Sequence, residues 1–330
     1  MKILILTRFY LNGQSTHVFS LCNELKRQGH SPFLVITHLN DPEYILYLRH
    51  SGLPYTTKDT LSYLRWYIKK YECDVIHSHS AHTLSIALEL GQDLGIPVVA
   101  TCHHLDFPNL AHLNSCTKVI TISKEMQELL AINPRTSTVI ENGIDTRLYR
   151  PQQTPYRSLT AVLLTRMSPQ KEPGFILVSK MLIDHGWRVI SLGNWHSRRL
   201  PIEYKGWKTR IEQTINKAEL VVGTGRAVRE GMAAGCACLV LGNKCDGLVT
   251  PANVKLLQYY NFSGRATKMT PTHQTLHPFI SQLTTERISE LGLFGHRYAN
   301  THFLITSMVA NTVKLYWQAF QTQILREPSF

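Results

Sequence analysis

The sequence has no apolar run long enough to cross a membrane. Its longest, such as "AVLLT" and "CACLVLG", fall far short of the roughly 20 residues a spanning helix needs. There is no Cys-x-x-Cys pair. The seven cysteines (Cys22, Cys73, Cys102, Cys116, Cys236, Cys238 and Cys245) follow no regular spacing, which argues for reduced thiols in a cytoplasmic protein. Cys236, Cys238 and Cys245 come close together, but two of them fall in an apolar strand, which disfavours a metal cluster. No tandem repeat of 20 to 50 residues is present, and no block of like charge stands out. Acidic residues are scarce: 23 Asp and Glu face 35 Lys and Arg, a net charge of +12. Such an excess suits nucleic acid, an anionic membrane surface or a phosphate-bearing small substrate. Because the cations are spread along the whole chain, a dedicated nucleic-acid helix is disfavoured.

What the sequence does contain is a β/α rhythm. The start, "MKILILTRFY", is too short in its apolar part for a secretory signal and reads as a first buried strand. Further Val/Ile/Leu-rich strands are "PFLVITH", "DVIHSH", "PVVATC", "KVITI" and "STVIE", then "LTAVLLT", "WRVISLG", "AELVVG" and "CACLVLG". Continuous apolar strands separated by helical patterns mean parallel sheets covered on both faces. The rhythm breaks at "IDTRLYRPQQTPYRSLT", so a linker is expected there. With 330 residues, about two domains of roughly 150 residues each fit. The expectation is an α/β protein of two doubly wound Rossmann-like domains facing across a cleft, over 1–152 and 153–300. A helix in 301–330 would pack back toward the first domain, with Val309, Val313, Tyr316 and Trp317 at helical spacing.

In open parallel sheets, ligands bind beyond the carboxyl ends of the strands, so the residues just after each strand carry the information. After the first strand, Gly13 falls in a turn before a helix beginning near Ser15, either a plain connection or an anion-binding helix start. Two histidine clusters follow later strands, His77, His79 and His82 in "HSHSAH", then His103, His104 and Asp106 in "CHHLD". Lacking supporting carboxylates or cysteines at metal spacing, they read as ligand-facing polar loops, with His103 the strongest candidate. Arg166 and Lys171 bracket a Ser-Pro turn in "LLTRMSPQKEP". A guanidinium fork and a mobile ammonium in that position suit a diphosphate, although solvated surface charge is the plain alternative. In "GTGRAVREGMAAGCACLVLG", Gly223 and Gly225 make a close-approach turn and Gly235 caps a short helix. Arg226 and Glu230, four apart, share a face of that helix. Val228 stands where a dinucleotide fingerprint has its third glycine, and the motif comes late in its domain, which disfavours a dehydrogenase.

Taken together, "DVIHSHS", "VVATCHH", "VIENGIDTRLYRP", "TRMSPQKEP" and "GTGRAVREGMAAGCACLVLG" make the chain resemble the retaining nucleotide-sugar glycosyltransferases of family 4, which have the GT-B fold. The resemblance runs over nearly the whole length. It implies that Arg166 and Lys171 neutralise the departing diphosphate and that Glu230 accepts hydrogen bonds from the nucleotide ribose. It places His103 beside the donor sugar, with Arg166 and Lys171 as its catalytic companions, and lets the loop at Gly13 approach the donor. Gly223 and Gly225 would bring backbone N–H groups to the sugar and phosphates. No metal or other cofactor is expected, in keeping with a sequence that contains no Asp-x-Asp.

One position departs from that family's pattern. The family has a second glutamate eight positions before the one matched by Glu230, and Val222 stands there. Valine cannot contact sugar hydroxyls, so the sugar would rely on backbone N–H groups, Thr224 or Arg226. The expected activity is transfer from a UDP- or GDP-sugar to a glycan, cell-envelope or lipid-linked acceptor, with retention, and with no nucleic-acid partner. A catalytically silent homologue and a nucleotide-sugar epimerase are the alternatives. The basic aromatic segment "LSYLRWYIKKYE" suits anionic headgroups or a packed helix with solvated lysines. The first option implies a cytoplasmic protein peripheral to the inner face of the membrane.

Overall fold

The structure is a computed structural model and describes residues 1–130, 132–151, 159–197 and 199–324. It divides into two units, one formed by Met1–Gly143 with the C-terminal segment from Ile305, the other by Ile144–Leu304. The second unit therefore begins ahead of residue 153, and Ile144–Pro151 belong to it. Of the segment expected to be a linker, residues 152–158 lie outside the described residues.

The first unit is built on seven strands: β1 (Lys2–Arg8), β2 (Ser31–Thr37), β3 (Tyr55–Thr56), β4 (Val75–Ser78), β5 (Val98–Cys102), β6 (Lys118–Thr121) and β7 (Ser137–Val139). They form one sheet in the order β3-β2-β1-β4-β5-β6-β7, and every pairing is parallel. Side chains alternate across a strand, so Ile3 and Ile5 enter one core while Leu4 and Leu6 enter another on the opposite face. That double burial is why the strand reads as an unbroken apolar run rather than an alternating one. The C-terminal helix Ile305–Ile324 supplies Ile305, Met308, Val309, Leu315, Tyr316 and Ala319 to the first of these cores. Val309 and Tyr316 are buried as the spacing predicts, whereas Trp317 is exposed.

In the second unit the strands are β8 (Thr160–Thr165), β9 (Arg188–Gly193), β10 (Glu203–Gly206), β11 (Leu220–Gly223), β12 (Ala237–Leu241) and β13 (Cys245–Leu248). Their order is β10-β9-β8-β11-β12-β13. All pairings are parallel except the hairpin of β12 with β13. The alternation recurs: Ala161 and Leu163 point into one core and Val162 into the other. The fold class read from the sequence, two doubly wound Rossmann-like sheets, is thus the one observed. β10 and β13 were not read from the sequence, because neither Glu203–Gly206 nor Cys245–Leu248 carries a Val/Ile-rich run. All seven cysteines are free and buried.

Candidate functional site

Each sheet reverses its direction of winding at one place, between β1 and β4 in the first unit and between β8 and β11 in the second. Adjacent connections there leave on opposite faces, so the carboxyl ends of those strands face a natural ligand crevice. Gly13, His79, Arg166, Lys171 and the Gly223–Gly225 turn follow these ends, whereas His103 follows β5.

In the second unit, Arg166 directly follows β8 and is exposed. The loop after it is clamped by Asn194 at the end of β9, whose Oδ1 accepts the Met167 N–H at 2.6 Å. Lys171 caps the helix Glu172–Asp184, and its Nζ donates to the Arg166 carbonyl at 3.0 Å. Burial, and then the Arg166 charge, pull the Lys171 ammonium below its usual range. Two cations held this close by one turn repel one another, and an anion placed between them removes that cost.

Across the switch, β11 ends in Gly223. A Cβ there would stand 2.5 Å from the Leu164 carbonyl oxygen, so only glycine lets the two strand ends approach. Gly225 has φ +60°, a conformation glycine adopts without steric cost. It caps the helix Arg226–Ala233 with no side-chain cap bond, and Thr224 between the glycines is partly exposed. A further glycine, Gly231, sits where a Cβ would meet Val221 Cβ and Cys238 Sγ at 2.8 Å. The close helix–sheet packing that a fingerprint's third glycine gives is therefore supplied here by Gly231.

Glu230 is 2% exposed and does not stand alone. Arg226 Nε donates to its Oε1 at 2.8 Å, the pairing expected of residues four apart on one helix face. Tyr149 Oη donates to the same oxygen at 3.1 Å. Burial raises the Glu230 carboxyl, and the Arg226 charge counteracts it. Tyr149, in turn, is driven well above its usual range by burial and by the Glu230 charge. Tyr149 escaped the sequence reading because nothing in "DTRLYRP" ties it to a helix 81 residues away. Val222 is fully buried in the sheet core.

In the first unit, Gly13 is the first residue of the helix Gly13–Arg27, not part of a turn ahead of it. Asn12, with extended backbone, caps that helix by accepting the Gln14 N–H at 3.0 Å, and so starts it two residues earlier than Ser15. His77 is fully buried and held at both ring nitrogens, by Tyr316 Oη at 2.6 Å and Thr101 Oγ1 at 2.8 Å. It is a core histidine rather than part of a ligand-facing loop, and burial pulls its pKa down to about 3. His79, just beyond β4, is also buried, while His103, just beyond β5, is half-buried. Their rings join through His79 Nδ1 and His103 Nε2 at 3.2 Å. His17 completes the group, its ring centroid 5.0 Å from that of His103 and 5.5 Å from that of His79. The sequence reading missed His17. The signal was its position four residues after Gly13, on the same helix face. His82 pairs with Arg8, and His104 and Asp106 are exposed.

Residues 11–148 match the family model described as Glycosyltransferase Family 4. Over that stretch the resemblance carried by "DVIHSHS", "VVATCHH" and most of "VIENGIDTRLYRP" is borne out. None of the curated proteins matches the chain. Solved structures similar to it include Anabaena HepE in complex with UDP-glucose, 14% identical, with a TM-score of 0.74 over 96% of this chain and 100% of that one. A glycosyltransferase from Rickettsia africae is 14% identical, with a TM-score of 0.69 over 97% of this chain and 99% of that one. Sucrose-phosphate synthase from Thermosynechococcus elongatus is 14% identical, with a TM-score of 0.67 over 98% of this chain and 100% of that one. The fold is that of these GT-B glycosyltransferases.

Proposed function

We propose that this chain is a retaining glycosyltransferase that takes its sugar from a nucleotide-diphosphate donor. The observation that carries the reading is the placement of Arg166, Lys171, Gly223–Gly225 and Glu230 around one topological switch point. Breaking the anomeric C–O bond builds positive character on the sugar ring, as in glycoside hydrolysis, and negative charge on the departing diphosphate. Cations fixed in advance at that negative charge are the main catalytic device. Arg166 and Lys171 fill this role, so the leaving group needs no metal. An ionised carboxylate offers about four acceptor sites, more than one arginine fork and one phenol take, so Glu230 can also accept from ribose hydroxyls. Gly13 allows backbone approach, Thr224 and Arg226 take part in holding the donor, and His103 is assigned to its sugar.

UDP is the favoured nucleotide, since HepE was solved with UDP, with UDP and glucose, and with UDP-glucose, with GDP second. The acceptor is proposed to be a glycan or lipid-linked envelope precursor, met at the inner face of the cytoplasmic membrane. The test is thermal unfolding against UDP, GDP, ADP, CMP and their sugar conjugates. A ligand at 100 times its dissociation constant adds about 2.7 kcal/mol to the native state, a rise of several degrees in Tm. A shift from one nucleotide class is expected, and no shift from any would remove the reading. A silent nucleotide-sugar binder is the second reading, favoured by the buried Val222 in place of a carboxylate. Donor turnover with release of the nucleotide diphosphate separates the two.

A further inference from the structure

His17, His79 and His103 each place one ring nitrogen so that the three lie within 4.8 Å of one another. They come from three separate elements, the helix after β1 and the segments just beyond β4 and β5. We infer that these three imidazoles form a binding site for a borderline transition-metal cation of the zinc class. In a tetrahedral zinc site with Zn–N near 2.0–2.1 Å, ligand nitrogens stand about 3.3 Å apart. His79 Nδ1 and His103 Nε2 already stand 3.2 Å apart, and small side-chain rotations bring in the third ring.

The chemistry of the rings agrees. Metals of this class take neutral imidazole. Burial first, and then neighbouring histidines, push His79 and His103 well below the ordinary histidine range. Among the described residues, the charges acting on them are those of other histidines. Two neutral rings can share only one proton between His79 Nδ1 and His103 Nε2, and a cation taken by both nitrogens replaces that proton at the same 3.2 Å approach. His103, half-buried, provides the entry side and leaves a coordination position for water. Three protein ligands with a fourth place open is a known zinc arrangement. Because His103 is also assigned to the donor sugar, metal occupancy and that contact exclude one another. This consequence rests on the proposed function, whereas the metal site does not.

The test titrates chelator-stripped protein at pH 8 with Zn²⁺ in competition with a chromophoric chelator, and separately with Co²⁺ read by visible absorption. One metal per chain and a four-coordinate cobalt spectrum are expected. His17→Gln and His103→Gln should each weaken binding by at least about tenfold, since even losing a partner behind a ligand costs 10–100-fold. Circular dichroism checks that each variant folds, and His103→Gln, at the half-buried position, is the one expected to survive if His17→Gln does not. No bound metal would overturn the inference. So would binding undiminished in a folded variant, which would assign the metal to other histidines of the chain.

Discussion

Glu230 accepts from Arg226 and from Tyr149 on one oxygen, and this decides which substitution is informative. Glu230→Ala would break the buried Arg226–Glu230 ion pair, a loss of about 3–5 kcal/mol of stability, so a binding defect there would be ambiguous. Glu230→Gln keeps the shape and removes the charge. Charge-assisted hydrogen bonds contribute about 1.5–3 kcal/mol, so nucleotide affinity should fall by about one to two orders of magnitude. Isothermal calorimetry with UDP measures it, and unchanged affinity in a folded protein would end the ribose assignment. His77 carries a second prediction. Its folded pKa of about 3 lies below the ordinary 6.5, so between those values the unfolded chain binds a proton that the folded chain does not. Stability is then complete above pH 6.5 and declines as pH falls toward 3, by up to about 1.4 kcal/mol per pH unit from this group. His79 and His103, also depressed, act in the same direction. Denaturant midpoints between pH 7 and 5 should show the decline, and a folded His77→Gln variant should show a shallower one. Equal slopes would mean that His77 is not the neutral buried group described.

At the scale of elements, the site depends on close approach. β8 and β11 come together at their carboxyl ends because residue 223 has no side chain. The helix Arg226–Ala233 lies directly on β11 and β12 because residue 231 has none either. The helix Thr285–His302 presses Gly292 against the Gly235 carbonyl in the same way. Gly223→Ala places a methyl 2.5 Å from the Leu164 oxygen, a clash with backbone that no rotamer relieves. Forced overpacking of this kind costs about 1–3 kcal/mol, and it would spread the strand ends that carry Arg166 and the Gly223–Gly225 turn. Urea unfolding and nucleotide titration should both register the change. A variant matching the parent in both would show that the close approach is dispensable.

For the molecule as a whole, the net charge of +12 and one amphipathic helix bear on location. No helix among the described residues is long and apolar enough to cross a membrane. In the helix Leu61–Tyr71, Leu64 and Ile68 are buried and Tyr67 stacks on Phe33 at 3.8 Å. Trp66 and Tyr71 are exposed, with Lys70 Nζ 4.7 Å above the Trp66 ring. The two readings of this segment therefore apply to its two faces, one packed in the core and the other basic and aromatic. Peripheral binding to anionic lipid through the outer face should be strong at low ionic strength and lost at high salt. Flotation with anionic liposomes tests it. Absence of binding at low salt, or binding unaffected by Trp66→Ala, would count against this face as the membrane contact.

The alternation of apolar strands and helices was legible because burial on both sheet faces leaves a continuous Val/Ile/Leu signal in strands such as β1, β8 and β12. The residues after those strands could also be named, since parallel sheets present ligands at their carboxyl ends. The edge strands β10 and β13 left no such signal, being short and without a Val/Ile-rich run. Helix periodicity foretold that Arg226 and Glu230 would meet, but not that Tyr149 would join them. Likewise, no local pattern links His77 to Tyr316 across 239 positions, or gathers His17, His79 and His103 from three elements. Local sequence determined which segments become strands and helices, because period and burial act over a few residues. Only the tertiary structure decided which buried polar groups share a partner, because that depends on contacts between segments far apart in the chain.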